Sequence, residues 1–359
     1  MRNLGGTVAR LKSRLSVPDS GAGRLAPVRI SGPNPGALGA WEYVPDSLPA
    51  APALVVVLHG CTQTASAYDL GSGWSTMADQ FGFIVLFPEQ KQANNPGLCF
   101  NWYSPEDTRR GGGEAASIRA AIETTILQHA VDRSRVFVTG LSAGGAMTSV
   151  MLATYPEVFA GGAVIAGLPY GCASSVPEAF DRMRGHDLPS AAASTAAVLA
   201  ASGHAGPWPS VSIWHGSADH TVAASNADAL VAQWAGVHDL GRAPDETHQV
   251  AGHAHRVWRD AAGQTVLEDY RLAGMGHGTP IDTRGTEACG KAGPYMLEVG
   301  LSSTRVLVRR WGLDTRLAAR PSSAALPSER APASEGDPPP RSHVQQVIED
   351  ALKRAGLMR

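Results

Sequence analysis

The chain has 359 residues, 43% of them hydrophobic, which is enough to bury a large core. Its formal net charge is only −2 and no long basic run occurs, which argues against a nucleic-acid partner. No apolar stretch reaches the roughly 18 residues of a membrane-crossing helix, and the opening MRNLGGTVARLKSRLSVPDSG lacks the apolar core and cleavage site of a secretory leader, so a cytoplasmic location is expected.

In chain order, residues 1–39 read as an N-terminal extension, partly flexible, in which Leu4, Val8, Leu11 and Leu15 suggest a frayed surface helix. The main domain is expected over 40–313. Within it, apolar runs end in loops at 54–59 (LVVVLH), 83–88 (FIVLFP), 136–140 (VFVTG), 163–167 (AVIAG) and 211–216 (VSIWHG). Strands apolar on both faces suit a parallel sheet covered by helices. Helical patterns fall between them at 114–130 and 143–154, giving a doubly wound α/β fold. Residues 170–210 contain no strong strand and read as a helical excursion above the sheet. Beyond 245, period-2 alternation on both sides of Ala261-Ala262-Gly263 predicts antiparallel strands near the sheet edge. Residues 314–341, rich in Pro, Ser and Ala, read as a disordered linker, and 342–359 as an amphipathic helix that packs on its own domain or on a partner.

Chemistry concentrates at Gly140-Leu141-Ser142-Ala143-Gly144, where a buried strand meets a helix. A serine on such a tight turn is presented as a nucleophile, and the helix N-terminus behind it favours developing negative charge. A serine hydroxyl also needs a base, and the base needs an acid that fixes its tautomer. Asp219 follows the strand at 211–216 and His277 follows the last strand in a glycine-rich loop, which gives the chain order Ser, Asp, His. Among rivals, His215 suits support of the Asp219 turn, His220 a solvated loop, and His253 and His255 structural places in the hairpin. Asp245 has no strand to aim it. The oxyanion requires two donors, for which the backbone N–H groups of Ala143 and Cys61 are placed. Trp102, Tyr103 and Trp74 are candidates both for substrate contact and for lid or core packing. The four cysteines form no CxxC pair, so structural zinc is not indicated. They are compatible with two bridges, Cys61–Cys99 and Cys172–Cys289, or with four buried thiols.

Taken together, VVLHGCTQTA, LFPEQ, NWY, RGGGEAASI, TGLSAGGAM, YPEVFAGGAVIAGLPYGCA, WHGSADHTV, GMGHGTPI and VRRWGL resemble the polyhydroxybutyrate (PHB) depolymerase esterase family, over roughly residues 40–313. The resemblance implies an α/β-hydrolase fold and hydrolysis of short-chain hydroxyacyl polyesters or oligomers, with feruloyl and acetyl-xylan esterases as relatives. Carried over by motif, it gives Ser142, Asp219 and His277 the triad roles and Cys61 and Ala143 the oxyanion hole. Because many relatives are secreted, it also implies the two disulfides and, as an alternative to the cytoplasm, an extracellular location. The expected enzyme is a serine esterase needing no metal or cofactor. An acyltransferase or peptidase on the same site, and a granule-binding protein with vestigial chemistry, are the other readings, and the resemblance adds a granule surface as a contact for the 342–359 helix.

Overall fold

The computed structural model describes residues 23–285 and 287–315. The frayed helix read from Leu4 to Leu15, nearly all of the linker and the C-terminal helix at 342–359 lie outside the described residues.

In chain order the strands of the main sheet are Ala26–Pro27 (β1), Gly39–Tyr43 (β2), Leu54–Leu58 (β3), Ile84–Glu89 (β4), Val136–Leu141 (β5), Gly161–Ile165 (β6), Ser210–Gly216 (β7), Glu246–Val250 (β8), His253–Arg259 (β9) and Thr265–Leu272 (β10). Across the sheet they lie β1-β2-β4-β3-β5-β6-β7-β10-β9-β8. The neighbours from β4 through β10 pair in parallel, while β1, β2, β8 and β9 extend the sheet antiparallel. Thr279–Ile281 (β11) and Met296–Glu298 (β12) form a separate parallel pair.

The β-branched runs become strands because alternate side chains enter two apolar layers, one on each face. Leu54, Val56 and Leu58 of β3 pack with Ile118 and Ile122 of helix Gly113–His129 and with Met147 and Met151 of helix Ala143–Thr154. Val55 and Val57 point the other way, toward Tyr68, Trp74, Met77 and Leu307 of helices Ala65–Ser72, Trp74–Phe81 and Ser303–Arg310. The expected excursion over 170–210 forms helices Val176–Met183 and Ala191–Ala201.

Two expectations gain detail. The 253–272 pair is an antiparallel hairpin, yet β10 also pairs in parallel with β7 and is therefore interior. The edge is β8, whose side chains are mostly exposed. Part of the N-terminal extension is also tied down: β1 pairs with β2, and Ser31 bonds Thr124 through its N–H at 3.1 Å. No helix among the described residues is long and apolar enough to cross a membrane.

Candidate active site

The C-terminal ends of β3, β5, β7 and β10 lie along one edge of the sheet, where loops of a doubly wound fold build sites. The turn after β5 carries Ser142 at φ 59° and ψ −116°, a conformation that L side chains rarely adopt. It persists because its surroundings determine it. The Ser142 N–H donates to Ile165 O of β6 at 2.9 Å, and Ser142 O accepts the first helical bond from Ala146 at 2.8 Å. Glycine is required behind it: a Cβ on Gly144 would lie 2.5 Å from His59 O, and one on Gly145 2.7 Å from Ile165 O. The small residues around the serine thus let the helix press against the ends of β3 and β6.

His277, in the loop after β10, brings Nε2 to 2.9 Å from Ser142 Oγ and Nδ1 to 2.7 Å from Asp219 Oδ2. Asp219 follows β7, and its Oδ1 accepts the N–H groups of Thr221 and Val222, both at 2.9 Å. Burial alone pushes this carboxyl up, but the His277 bond and charge and the Val222 N–H together hold it below the ordinary carboxylate range. An ionised carboxylate only accepts, so His277 carries its proton on Nδ1 and offers a free lone pair at Nε2 to the serine hydroxyl. Such an arrangement is able to take a proton from Ser142 and return it.

His215 lies where the sequence suggested. Fully buried, it donates from Nε2 to Val222 O at 2.9 Å, bracing the turn whose N–H groups hold Asp219. Burial pushes its pKa down despite the opposing Val222 carbonyl, so the ring stays neutral. His220 is exposed. His253 bonds Val299 O and Ala273 N, and His255 bonds Glu268 and stacks on Tyr270. Asp245 accepts from Arg259 N in the hairpin.

Neither the Ala143 nor the Cys61 N–H has a protein acceptor among the described residues. The Cys61 loop is held by side chains that the sequence reading passed over. Gly60 N–H donates to Gln63 Oε1 at 2.8 Å and Thr62 N–H to Gly97 O at 2.7 Å. His59 Nδ1–H donates to Gly60 O at 2.8 Å, while Nε2 accepts from Gln90 N–H at 3.1 Å and so ties β3 to β4. Buried Glu114 extends the frame, accepting from Gln90 Nε2 at 2.5 Å and from Asn101 N and Nδ2, each at 2.8 Å. Burial raises Glu114 to about 8, against the pull of those donors. The available signal was a lone carboxylate opening an apolar helix, in RGGGEAASI.

Cys61 and Cys99 form a disulfide. Cys172 and Cys289 do not: both are free and buried, because they occupy the apolar layers on opposite faces of the sheet. Trp74 is likewise core, 2% exposed, between Phe83 and a stacked Trp311 at 5.9 Å, with no face left for a ligand. Trp102 is buried with Tyr103 perpendicular to it at 5.6 Å, and only Tyr103 keeps partial exposure. One site aromatic was missed: Tyr295 stands edge-on to His277 with ring centroids 6.2 Å apart. No cluster of three or more His, Cys, Asp or Glu placed to hold a metal ion occurs among the described residues.

Residues 42–254 match the family described as Esterase PHB depolymerase. Poly(3-hydroxyalkanoate) depolymerase C of Paucimonas lemoignei is 46% identical over 301 residues, covering 83% of this chain and 72% of its own. The chain belongs to the PHB depolymerase esterase family. Acetylxylan esterase A of Emericella nidulans is 38% identical over 73% of this chain and 88% of its own length. Among solved structures, the acetyl xylan esterase from Aspergillus awamori is similar with TM-score 0.66 at 33% identity, covering 71% of this chain and 94% of its own. This PHB depolymerase-family member is a carboxylic ester hydrolase with the α/β-hydrolase fold.

Proposed function

We propose that this esterase cleaves hydroxyalkanoate polyesters or their oligomers through an acyl-enzyme on Ser142. The observation that carries the mechanism is the 2.9 Å approach of His277 Nε2 to the hydroxyl of a positive-φ serine. Ser142 Oγ attacks the ester carbonyl as its proton moves to His277 Nε2, and Asp219 stabilises the imidazolium. The Cys61 and Ala143 N–H groups receive the oxyanion, helped by the N-terminus of helix Ala143–Thr154. Collapse of the tetrahedral intermediate releases the alcohol with the proton from His277, and water then repeats the sequence to free the acid. Tyr103, half-buried at the 99–103 loop, is a candidate substrate contact.

The polyester reading rests on the 46% identity with a polyhydroxyalkanoate depolymerase. A second reading, deacetylation of xylan, is favoured by the 38% identical Emericella nidulans esterase. One experiment tests both. The protein and its Ser142→Ala variant are incubated with hydroxybutyrate oligomers, amorphous polymer, acetylated xylan, methyl ferulate and 4-nitrophenyl esters. Turnover of hydroxybutyrate esters that vanishes in Ser142→Ala supports the proposal. Preference for acetylated xylan would replace the substrate, and activity surviving in the variant would remove the mechanism.

A further inference from the structure

We infer that Tyr295 forms the wall of the site that receives the alcohol portion of the ester, an inference resting on the acyl-enzyme reading above. Three observations meet at this residue. Its ring stands edge-on to His277, with centroids 6.2 Å apart and planes at 82°. It is 43% exposed, one of few large apolar side chains among the described residues left open to solvent. Its backbone φ is +61°, in the region where a bulky side chain is an outlier.

The backbone explains how the ring is held. Gly293 and Met296 exchange hydrogen bonds at 3.2 and 3.0 Å, which places Pro294 and Tyr295 at the centre of a tight turn. Proline followed by a positive-φ residue is the pattern in which glycine costs least at the second position. This chain puts tyrosine there instead. The turn is anchored beside the base, because Tyr295 O accepts Thr279 N–H at 2.8 Å. A Cβ on Gly278 would lie 2.7 Å from that same oxygen, so the residue after His277 packs directly on the Tyr295 backbone. Backbone strain kept by such contacts at a site points to a use for the side chain.

The chemistry says which part of the substrate meets it. When the tetrahedral intermediate collapses, the bond from carbon to the leaving oxygen breaks. That oxygen takes the proton from His277 Nε2, and the acyl group stays on Ser142 Oγ. The leaving oxygen must therefore sit within hydrogen-bond reach of Nε2, and its carbon substituents beside the imidazole. An exposed ring standing against that imidazole is within reach of those carbons, and it offers an apolar face that an aliphatic unit or a sugar ring fills.

The test uses two ester series with the full chain, Tyr295→Gly and Tyr295→Phe. Glycine suits the turn, so the ring is lost without new backbone strain. One series holds a butanoyl group and changes the alcohol from methyl to butyl to cyclohexyl; the other holds methanol and lengthens the acyl chain. Tyr295→Gly is expected to lower kcat/KM for the butyl and cyclohexyl esters about tenfold relative to the methyl ester. Its acyl-length profile should match the parent, and Tyr295→Phe should behave as the parent in both series. An equal loss across all alcohols would mean that the ring only positions His277. That result, no change, or an altered acyl-length profile would each overturn the inference. Ser142→Ala, assayed in parallel, separates the two levels: activity surviving there fails the acyl-enzyme reading itself.

Discussion

Asp219→Asn is the sharpest probe of the site, because the structure fixes how the amide must sit. Oδ1 of the native carboxylate accepts two backbone N–H groups, from Thr221 and Val222. In the variant the amide oxygen has to keep those two donors, which turns the NH2 toward His277 Nδ1. A donor facing Nδ1 forces the imidazole proton onto Nε2, where it points at Ser142 Oγ and blocks proton abstraction. Rotating the amide to rescue the tautomer would leave two buried N–H groups facing an NH2, at about 1–3 kcal/mol each. Even the low end, about 2 kcal/mol, holds the rescued form to a few percent. A penalty of about 2–6 kcal/mol lowers kcat by about 30-fold to 10⁴-fold, and loss of the carboxylate charge that stabilises the imidazolium adds to it. Asp219→Ala leaves the imidazole free to choose its tautomer and should be at least as active as Asp219→Asn. The assay is hydrolysis of a soluble 4-nitrophenyl ester near neutral pH, with melting temperatures to confirm folding. A folded Asp219→Asn protein within tenfold of the parent would refute the tautomer argument, as would an alanine variant clearly worse than the asparagine one.

Three further outcomes are expected. Gly144→Ala drives a Cβ to 2.5 Å from the His59 carbonyl, a backbone atom that cannot swing aside. It should cost about 1–3 kcal/mol of stability and, by displacing the Ala143 donor, about 10²–10³ in kcat; a melting curve and kcat within error of the parent would count against the close packing. Cys99→Ser opens a bridge between residues 38 apart, so urea unfolding should show a loss of about 4 kcal/mol. Thiol titration of the unreduced, unfolded parent should find two thiols, Cys172 and Cys289, and four would contradict the bridge. Burial lowers the pKa of His59 and His215, and that of His238 from 6.5 to about 4. At these three rings the unfolded chain binds more protons than the native protein once pH falls below about 6.5, which lowers stability on acidification, while buried Glu114, raised to about 8, works in the opposite direction down to the ordinary carboxylate range. His238 alone accounts for about 3 kcal/mol by pH 4; an NMR titration of its imidazole should place the midpoint near 4, and a midpoint near 6.5 would contradict its burial.

The five apolar runs could be read as parallel strands because each is buried on both faces, so composition alone marked them. β2 and β8 were not legible: GAWEY is short and mixed, and ETHQV is an exposed edge strand with no apolar face to reveal it. Ser142, Asp219 and His277 stood out because each follows a strand end, and strand ends in this architecture share one edge. His59, Gln90 and Glu114 did not. Their part in the Cys61 loop lies in bonds between β3, β4 and a helix that are distant in sequence, and no local pattern records such pairing. Trp74 and Tyr295 show the same limit from opposite sides. An aromatic in a loop-rich stretch looks alike whether it faces Trp311 in the core or His277 at the surface, and only the turn geometry separates them. Cys172 and Cys289 both follow glycine-rich loops, but the sheet that keeps them apart is a property of the whole fold.

The interior position of β10 bears on how the protein acquires activity. This strand is made after β9, yet it must dock against β7, whose residues were synthesised some fifty positions earlier, with Leu267 opposite Val211. The loop carrying His277 follows β10 directly, so the base reaches Ser142 only when that non-local pairing has formed. Pairing across so long a loop is slow relative to helix and hairpin formation. The β3–β5 pairing beneath Ser142, with Leu54 opposite Val136, closes a still longer loop, so ester turnover regained on refolding is expected to report completion of the sheet rather than collapse of the core.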